Sequence, residues 1–297
     1  MIKSNLLKTV SVLALTAGLA ACSGNGDSNS ASKAESALDE KTGNVVVSAS
    51  KEAIKAAVKN PLRGEASKRD MYRHPAETLS FFGLQPNMTV VEILPGGGWY
   101  TSILNPILST KGQLYAAHFH PYEGAPGYYA RSLAGFKEKV ANDPLYKGIE
   151  VTEFHHIKAH DIAPEGSADM VLTFRNVHNW YMGDGDEGVE QAFAAFYKAL
   201  KKGGVLGVVE HRMPESQDQV ANKNSGYMKQ SYVIAAAEKA GFVLEASSEV
   251  NANAKDTADH PKGVWTLPPR LANGDVDREK YVAIGESDRM TLKFVKK

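Results

Sequence analysis

Two groups of residues in this chain have the types and spacing to do chemistry. In the first, Pro95 is followed by Gly96, Gly97 and Gly98, directly after the apolar run from Thr89 to Leu94 and ahead of Trp99 and Tyr100. Glycines between a strand and a helix let the backbone approach a ligand closely, and the first helical turn aims free N–H groups at it. The same turn also serves a purely structural strand-to-helix connection. Glu92 lies within the apolar run, where a carboxylate needs amide donors from the loop or a nearby ligand to offset its burial. The second group is histidine: seven of the nine, His118, His120, His155, His156, His160, His178 and His211, fall at or just beyond the ends of predicted strands. Imidazoles gathered on one edge suit acid–base work or a divalent ion, with His118, His120, His178 and His211 as candidate ligands. No spacing matches a motif such as His-Glu-x-x-His. His155 and His156 would point to opposite faces if both stayed in a strand, which argues against their sharing an ion. Trp99, Tyr100, Tyr122, Trp180 and Tyr181 gather near the same edge, to stack on a flat ligand or to roof the core. The acidic run from Met182 to Glu187 lacks the length and ligand order of a calcium-binding EF-hand loop and reads as a solvated helix start.

These residues need a scaffold, and the hydrophobic pattern supplies one. Apolar runs at 89–94, 114–119, 149–154, 168–174 and 205–210 read as strands, with helical segments at 128–140 and 187–202 between them. Val189, Phe193, Phe196, Tyr197 and Leu200 form one stripe of the second helix, which Gly203 and Gly204 stop. Helices are also expected at 51–59, 75–84 and 227–240, and strands at 242–245 and 289–295. Alternating strands and helices predict an α/β fold: a Rossmann-like, doubly wound, mostly parallel seven-stranded sheet with helices on both faces. The last strand has no helix ahead of it, only the proline-punctuated stretch 251–287, so it is expected to run antiparallel. Ligands of such sheets bind outside the carboxyl ends of the strands, where the histidines and glycines fall.

Bulk composition narrows the classes of function. The 297 residues carry 34 basic and 34 acidic side chains, with 43% hydrophobic and 23% charged residues, so no generic polyanion or nucleic-acid partner is expected. Lys3 and Lys8 precede an apolar segment from Val10 to Ala21, too short for a permanent span and suited to a cleaved leader over residues 1–21. Leu19-Ala20-Ala21-Cys22 resembles a bacterial lipobox, which implies acylation of Cys22, export, and anchoring to a membrane facing the periplasm, the outer one in preference. Cys22 is the single cysteine, so disulfides within the chain and cysteine-ligated zinc are excluded. Residues 22–50, poor in large apolar groups, read as a tether, and 51–297 as one domain.

Four segments together resemble the class I S-adenosylmethionine-dependent methyltransferases over roughly residues 70 to 297: Val90–Gly98, His160-Asp161, Ser167–Trp180 and Ala195–His211. Arg73-His74-Pro75 and the Pro95–Tyr100 loop suggest the branch of predicted methyltransferases found in Gram-negative bacteria. The resemblance implies S-adenosylmethionine as cofactor, with Gly96, Gly97, Gly98 and Trp99 beside its methionine part, Glu92 near its amino group, and Asp161 facing the adenine amine. Arg175 and Asn176 would stand between cofactor and a small-molecule acceptor; His178, His211 and Glu210 are the candidate bases. Two positions depart from the pattern. Leu94 replaces the first glycine, and His118 stands where a carboxylate usually grips the ribose. The alternatives are a lapsed enzyme that binds a ligand or metal as a lipoprotein and, more weakly, oxidoreduction on a dinucleotide.

Overall fold

The computed structural model describes residues 48–297; the leader, Cys22 and most of the tether lie outside the described residues. The described chain opens in helix α1 (residues 48–58) and runs through a 3-10 segment, Pro61–Arg69, into short α2 (Asp70–Arg73) and α3 (Pro75–Phe82). There follow β1 (Thr89–Ile93), α4 (Thr101–Leu108), β2 (Gln113–Phe119), α5 (Tyr128–Asn142), β3 (Glu150–Phe154) and β4 (Ala168–Phe174). Helix α6 (Val177–Ala199), β5 (Leu200–Met213), the two-residue β6 (Met228–Lys229), α7 (Gln230–Lys239) and β7 (Phe242–Ser248) lead to α8 (Arg278–Ile284) and β8 (Arg289–Lys296).

The sheet order is β3-β2-β1-β4-β5-β8-β7, with β6 a short addition beside β5. Strands β1 to β5 pair in parallel, and β8 runs antiparallel between β5 and β7. The expected mostly parallel sheet with an antiparallel end is therefore present. Alternation along β1 divides the core: Val91 and Ile93 face α6 and α7, while Val90 faces α1, α3, α4 and α5. Both sheet faces are thus covered, as parallel strands require. Strand β1 lies between β2 and β4, so its C-terminal end, and the glycines after it, open at the middle of the sheet's carboxyl edge.

Two expectations change. Helix α6 starts ten residues before the predicted 187, because Val177–Gly183 is already helical and joins the rest across a kink at Asp184 and Gly185. The acidic run is thus inside a helix, and Asp184 there pairs with His156 at 2.5 Å. His155 and His156 follow the last residue of β3, so they escape strand alternation: their rings stack at 4.4 Å instead of facing apart.

Strand β5 meets the helix layer closely at Gly207, where a Cβ would fall 2.7 Å from Leu172 and 2.9 Å from the Phe82 ring of α3. Neither neighbour is a loose side chain, since both are fully buried. Gly207→Ala is expected to lower unfolding stability by about 1–3 kcal/mol, the usual cost of overpacking. Urea denaturation followed by circular dichroism measures this directly.

Candidate functional site

A cleft of about 600 Å³ opens over the end of β1. Its floor is the Leu94–Gly98 turn, one wall is Phe174-Arg175-Asn176 at the end of β4, and the N-terminal segment around Arg69 and Arg73 closes another side. A cleft of this size takes a ligand of cofactor dimensions. The backbone around it is strained in two places. Leu94 and Arg175 adopt left-handed φ values of 47° and 61°, costly for residues with a Cβ, at the ends of adjacent strands. Each is held by a hydrogen bond to the strand beyond: the Leu94 N–H donates to Ala117 at 2.8 Å, and the Arg175 N–H to Val209 at 2.7 Å. Leu94 therefore keeps the left-handed geometry that glycine would adopt freely. Strain of this kind persists where the surrounding structure over-determines it, and it concentrates at binding sites.

The glycines differ in what surrounds them. Gly98, at φ 83°, sits so close to Tyr146 that a Cβ would fall 2.5 Å from the ring. The Tyr146 hydroxyl donates to the Gly98 carbonyl at 2.7 Å, and Lys139 Nζ donates to the Gly97 carbonyl at 2.7 Å. Above Gly96 and Gly97, by contrast, a Cβ would meet nothing within 4 Å. The loop is braced at one end and open at the other, as a ligand-cradling turn must be. Lys139, Asp143 and Tyr146 belong to the cleft lining although nothing in their spacing marks them; the last turn of α5 and the turn after it bring them there.

Glu92 is buried, on the same sheet face as Val90, and its Oε2 accepts a hydrogen bond from the Thr101 hydroxyl of α4 at 2.6 Å. The holding group is thus a helix hydroxyl and not the loop amides expected from the sequence. Burial drives its pKa up to about 7, against the lowering effects of the Thr101 bond and of Arg175. Trp99 lines the cleft, lies under Arg73 with the guanidinium 4.5 Å from a ring centroid, and donates its indole N–H to Ala66 at 2.8 Å. Tyr100 stacks on Phe174 with centroids 3.5 Å apart. Asn176 lines the cleft too, and its amide ties β4 to β1 by donating to the Ile93 carbonyl at 3.0 Å.

Other sequence-derived candidates are placed elsewhere. His118 is buried; the Phe119 N–H donates to its Nδ1 at 2.8 Å, which leaves Nε2 to donate to the Gly96 carbonyl at 3.2 Å. Both ring nitrogens are therefore occupied in bracing the glycine turn, and His118 does not join a metal cluster. Burial also lowers its pKa, which favours this neutral form. His120 pairs with Glu153 at 2.9 Å, likewise outside any histidine cluster. Asp161 is a clear correction: its side chain is 91% exposed and pairs with Lys198, and it takes no part in lining the cleft. The chain after β3 folds back on itself through the His155–Ala159 bridge, so that Thr152 reaches the Ile162 carbonyl and Asp161 is carried away from the strand ends. Trp180 is core, packed edge-on to Phe154.

His178, Glu210 and His211 do come together. Their nearest ligand atoms all lie within 4.8 Å of one another, the one such group of histidine and carboxylate ligands among the described residues. Glu210 is fully buried and satisfied: Oε1 accepts from His178 Nδ1 at 2.9 Å and from the His211 N–H at 2.7 Å, and Oε2 accepts from the His178 N–H at 3.2 Å. The carboxylate thereby assigns the proton of His178 to Nδ1 and leaves Nε2 as a base. His211 Nδ1 meets the Ser287 hydroxyl at 2.5 Å, and burial, with His178 and Arg175 next in effect, pushes its pKa well below the ordinary histidine value. Two imidazoles and a carboxylate are donor types suited to a divalent ion as well as to proton transfer. None of the three lines the cleft itself; they lie directly after its wall, His178 being two residues beyond Asn176. The stretch 251–287 packs over this group: Trp265 stands edge-on to His178 at 6.1 Å, and Val264 and Ala258 pack with Tyr227 and Met213.

No protein-family model and no curated protein matches this chain. Among solved structures, a proposed sarcosine dimethylglycine methyltransferase from Galdieria sulphuraria is similar with a TM-score of 0.52 at 15% identity, covering 80% of this chain and 91% of that one. A SAM-dependent methyltransferase from Aquifex aeolicus has a TM-score of 0.47 at 19% identity, covering 68% and 93%. Another, from Mesorhizobium loti, has 0.47 at 14%, covering 79% and 100%. The structural neighbours are class I S-adenosylmethionine-dependent methyltransferases, and identities this low establish the shared fold.

Glu92 gives the site a testable signature. Its folded pKa is raised, so the native state holds a proton that the unfolded chain releases above pH 4.5. The stability it permits is complete below that value and is lost as pH rises through about 7. Glu92→Gln removes this loss. Thermal melts at pH 5 and pH 8 should show the variant gaining on the parent at the higher pH, by an amount on the order of a few kcal/mol.

Proposed function

We propose that this protein is an S-adenosylmethionine-dependent methyltransferase acting on a small-molecule acceptor, exported and held at the periplasmic side of a membrane through an acylated Cys22. The observation that carries the reading is the cleft over β1. A glycine turn braced by Tyr146 and His118, open above Gly96 and Gly97, lies on a mostly parallel sheet in a chain whose fold is similar to that of a methyltransferase structure. The Cys22 anchor rests on the lipobox-like sequence alone. No helix among the described residues is long and apolar enough to cross a membrane, so the anchor would be the lipid.

The residues present fit the cofactor at the turn and differ from the usual pattern at the ribose. Gly96, Gly97 and the Trp99 ring would hold its methionine part, and Glu92 lies buried behind them. No carboxylate ends β2; His118 is there instead and is spent on the loop. When bound, the cofactor supplies an electrophilic methyl group on a sulfonium. The protein's own contribution is alignment in a confined cleft, which supplies most of the acceleration available to methyl transfer. An acceptor that must lose a proton needs a base. His178 suits that role, because Glu210 fixes its tautomer and orientation.

The space above Gly97 allows a test that spares the fold. Gly97→Trp adds an indole at the cleft floor from a position where a Cβ meets nothing within 4 Å. Ultraviolet cross-linking with methyl-tritiated S-adenosylmethionine should label the parent chain and fail in the variant, whose melting temperature should remain within about 2 °C. Equal labelling of both would place the cofactor elsewhere and defeat the proposal.

A further inference from the structure

The charges around the cleft do not balance. Arg63 is paired, bidentate, with Asp70 at 2.7 Å. The other arginines share one carboxylate: Glu286 accepts from Arg69 Nε at 2.6 Å, from Arg289 Nη2 at 3.1 Å and from Arg73 Nε at 3.5 Å. Arg175 has no salt bridge among the described residues, and its Nη1 is buried without a hydrogen-bond partner. Tyr100, Glu286 and, more weakly, Glu210 act on it only from a distance, and Glu92, the carboxyl of the cleft that feels Arg175, is pushed toward its neutral form by burial. Burial, and then Arg175, press the pKa of Arg73 down. A guanidinium does not surrender its proton at ordinary pH, so burial on these terms calls for an anion. Arg73 and Arg175 both line the cleft, which leaves the cleft as the place where that anion sits.

S-adenosylmethionine as a whole molecule brings no net negative charge to this wall. Its carboxylate is cancelled by its ammonium, and the sulfonium leaves it with a net positive charge. Bound beside these arginines it makes the imbalance worse, whereas an anionic co-ligand corrects it. We infer that Arg73 and Arg175 form the anion subsite of the methyl acceptor, which therefore carries a carboxylate or a phosphate. This rests on the methyltransferase reading for the word acceptor, and on the charges alone for the anion.

The test is calorimetric titration of inorganic phosphate into the full-length protein at low ionic strength, with and without saturating S-adenosylhomocysteine. One phosphate should bind per chain, with the dissociation constant little changed by S-adenosylhomocysteine. Arg175→Gln should weaken it at least ten-fold, while Lys137→Gln, which removes an exposed charge of α5 outside the cleft lining, should change it less than three-fold. Because Arg175→Gln deletes an unpaired buried charge, its melting temperature should equal or exceed the parent's. Arg175→Lys, which keeps the charge and loses the planar fork, should bind with intermediate strength. Absence of phosphate binding, or equal weakening by Lys137→Gln, overturns the subsite. Displacement of phosphate by S-adenosylhomocysteine also overturns it, since the arginines would then hold the cofactor's own carboxylate. If phosphate binds and S-adenosylhomocysteine does not, the anion subsite stands and the methyltransferase reading falls.

Discussion

Strand β1 is paired on both sides in parallel, with β2 at one edge and β4 at the other, and most of the architecture follows from that constraint. A parallel strand between two others must be covered on both faces, which places α6 and α7 on one side and α1, α3, α4 and α5 on the other. It must also leave the sheet at the carboxyl edge, where the chain has to turn sharply to enter α4. The glycines after Pro95 make that turn, and the ends of β2 and β4 stand beside it. Glu92, one residue before the end of β1, is confined beneath α4 by the same pairing. Its elevated pKa is a consequence of where β1 has to run.

The second organising feature is charge. Glu286 draws together Arg69 and Arg73 from the N-terminal segment and Arg289 from β8, joining residues more than 200 positions apart in sequence. Those contacts close the cleft on the side that the sheet leaves open. They also concentrate positive charge there beyond what one carboxylate can neutralise. Glu210 shows the contrasting solution: three donors from His178 and His211 satisfy it completely, so its burial leaves no deficit. The two arrangements divide the edge into a polar group complete in itself and a cationic wall that is incomplete without a ligand.

Much of this was legible in the sequence because it depends on local pattern. The alternation of β1 and its neighbours, the stripe of α6 and the glycine turn each rest on residues close together in the chain, and the sheet and cleft follow from them. Histidines were also readable as a class, and two of them, His178 and His211, meet at Glu210. What was not legible depends on how loops return. Asp161 stands right after its strand, yet the fold-back at 155–159 takes it to the surface. His118 was readable as the replacement for a carboxylate but not as a brace for Gly96, because that bond joins the end of β2 to the turn after β1. Lys139 reaches the cleft from the last turn of α5, and Asp143 and Tyr146 from the 3-10 turn after it, which has no periodic signal. The partnering of Arg73 and the isolation of Arg175 depend on Glu286, which lies in the proline-punctuated stretch that carries no regular pattern at all.

The account stands most directly on whether the cleft over β1 takes the cofactor. Calorimetric titration of S-adenosylhomocysteine into the purified protein, after its metal content has been recorded, measures this. One-to-one binding, with the affinity falling as the cleft is filled from Gly97, is the predicted result. No measurable binding, with a transition metal retained at His178, Glu210 and His211, would contradict it and make the fold a scaffold for that group instead.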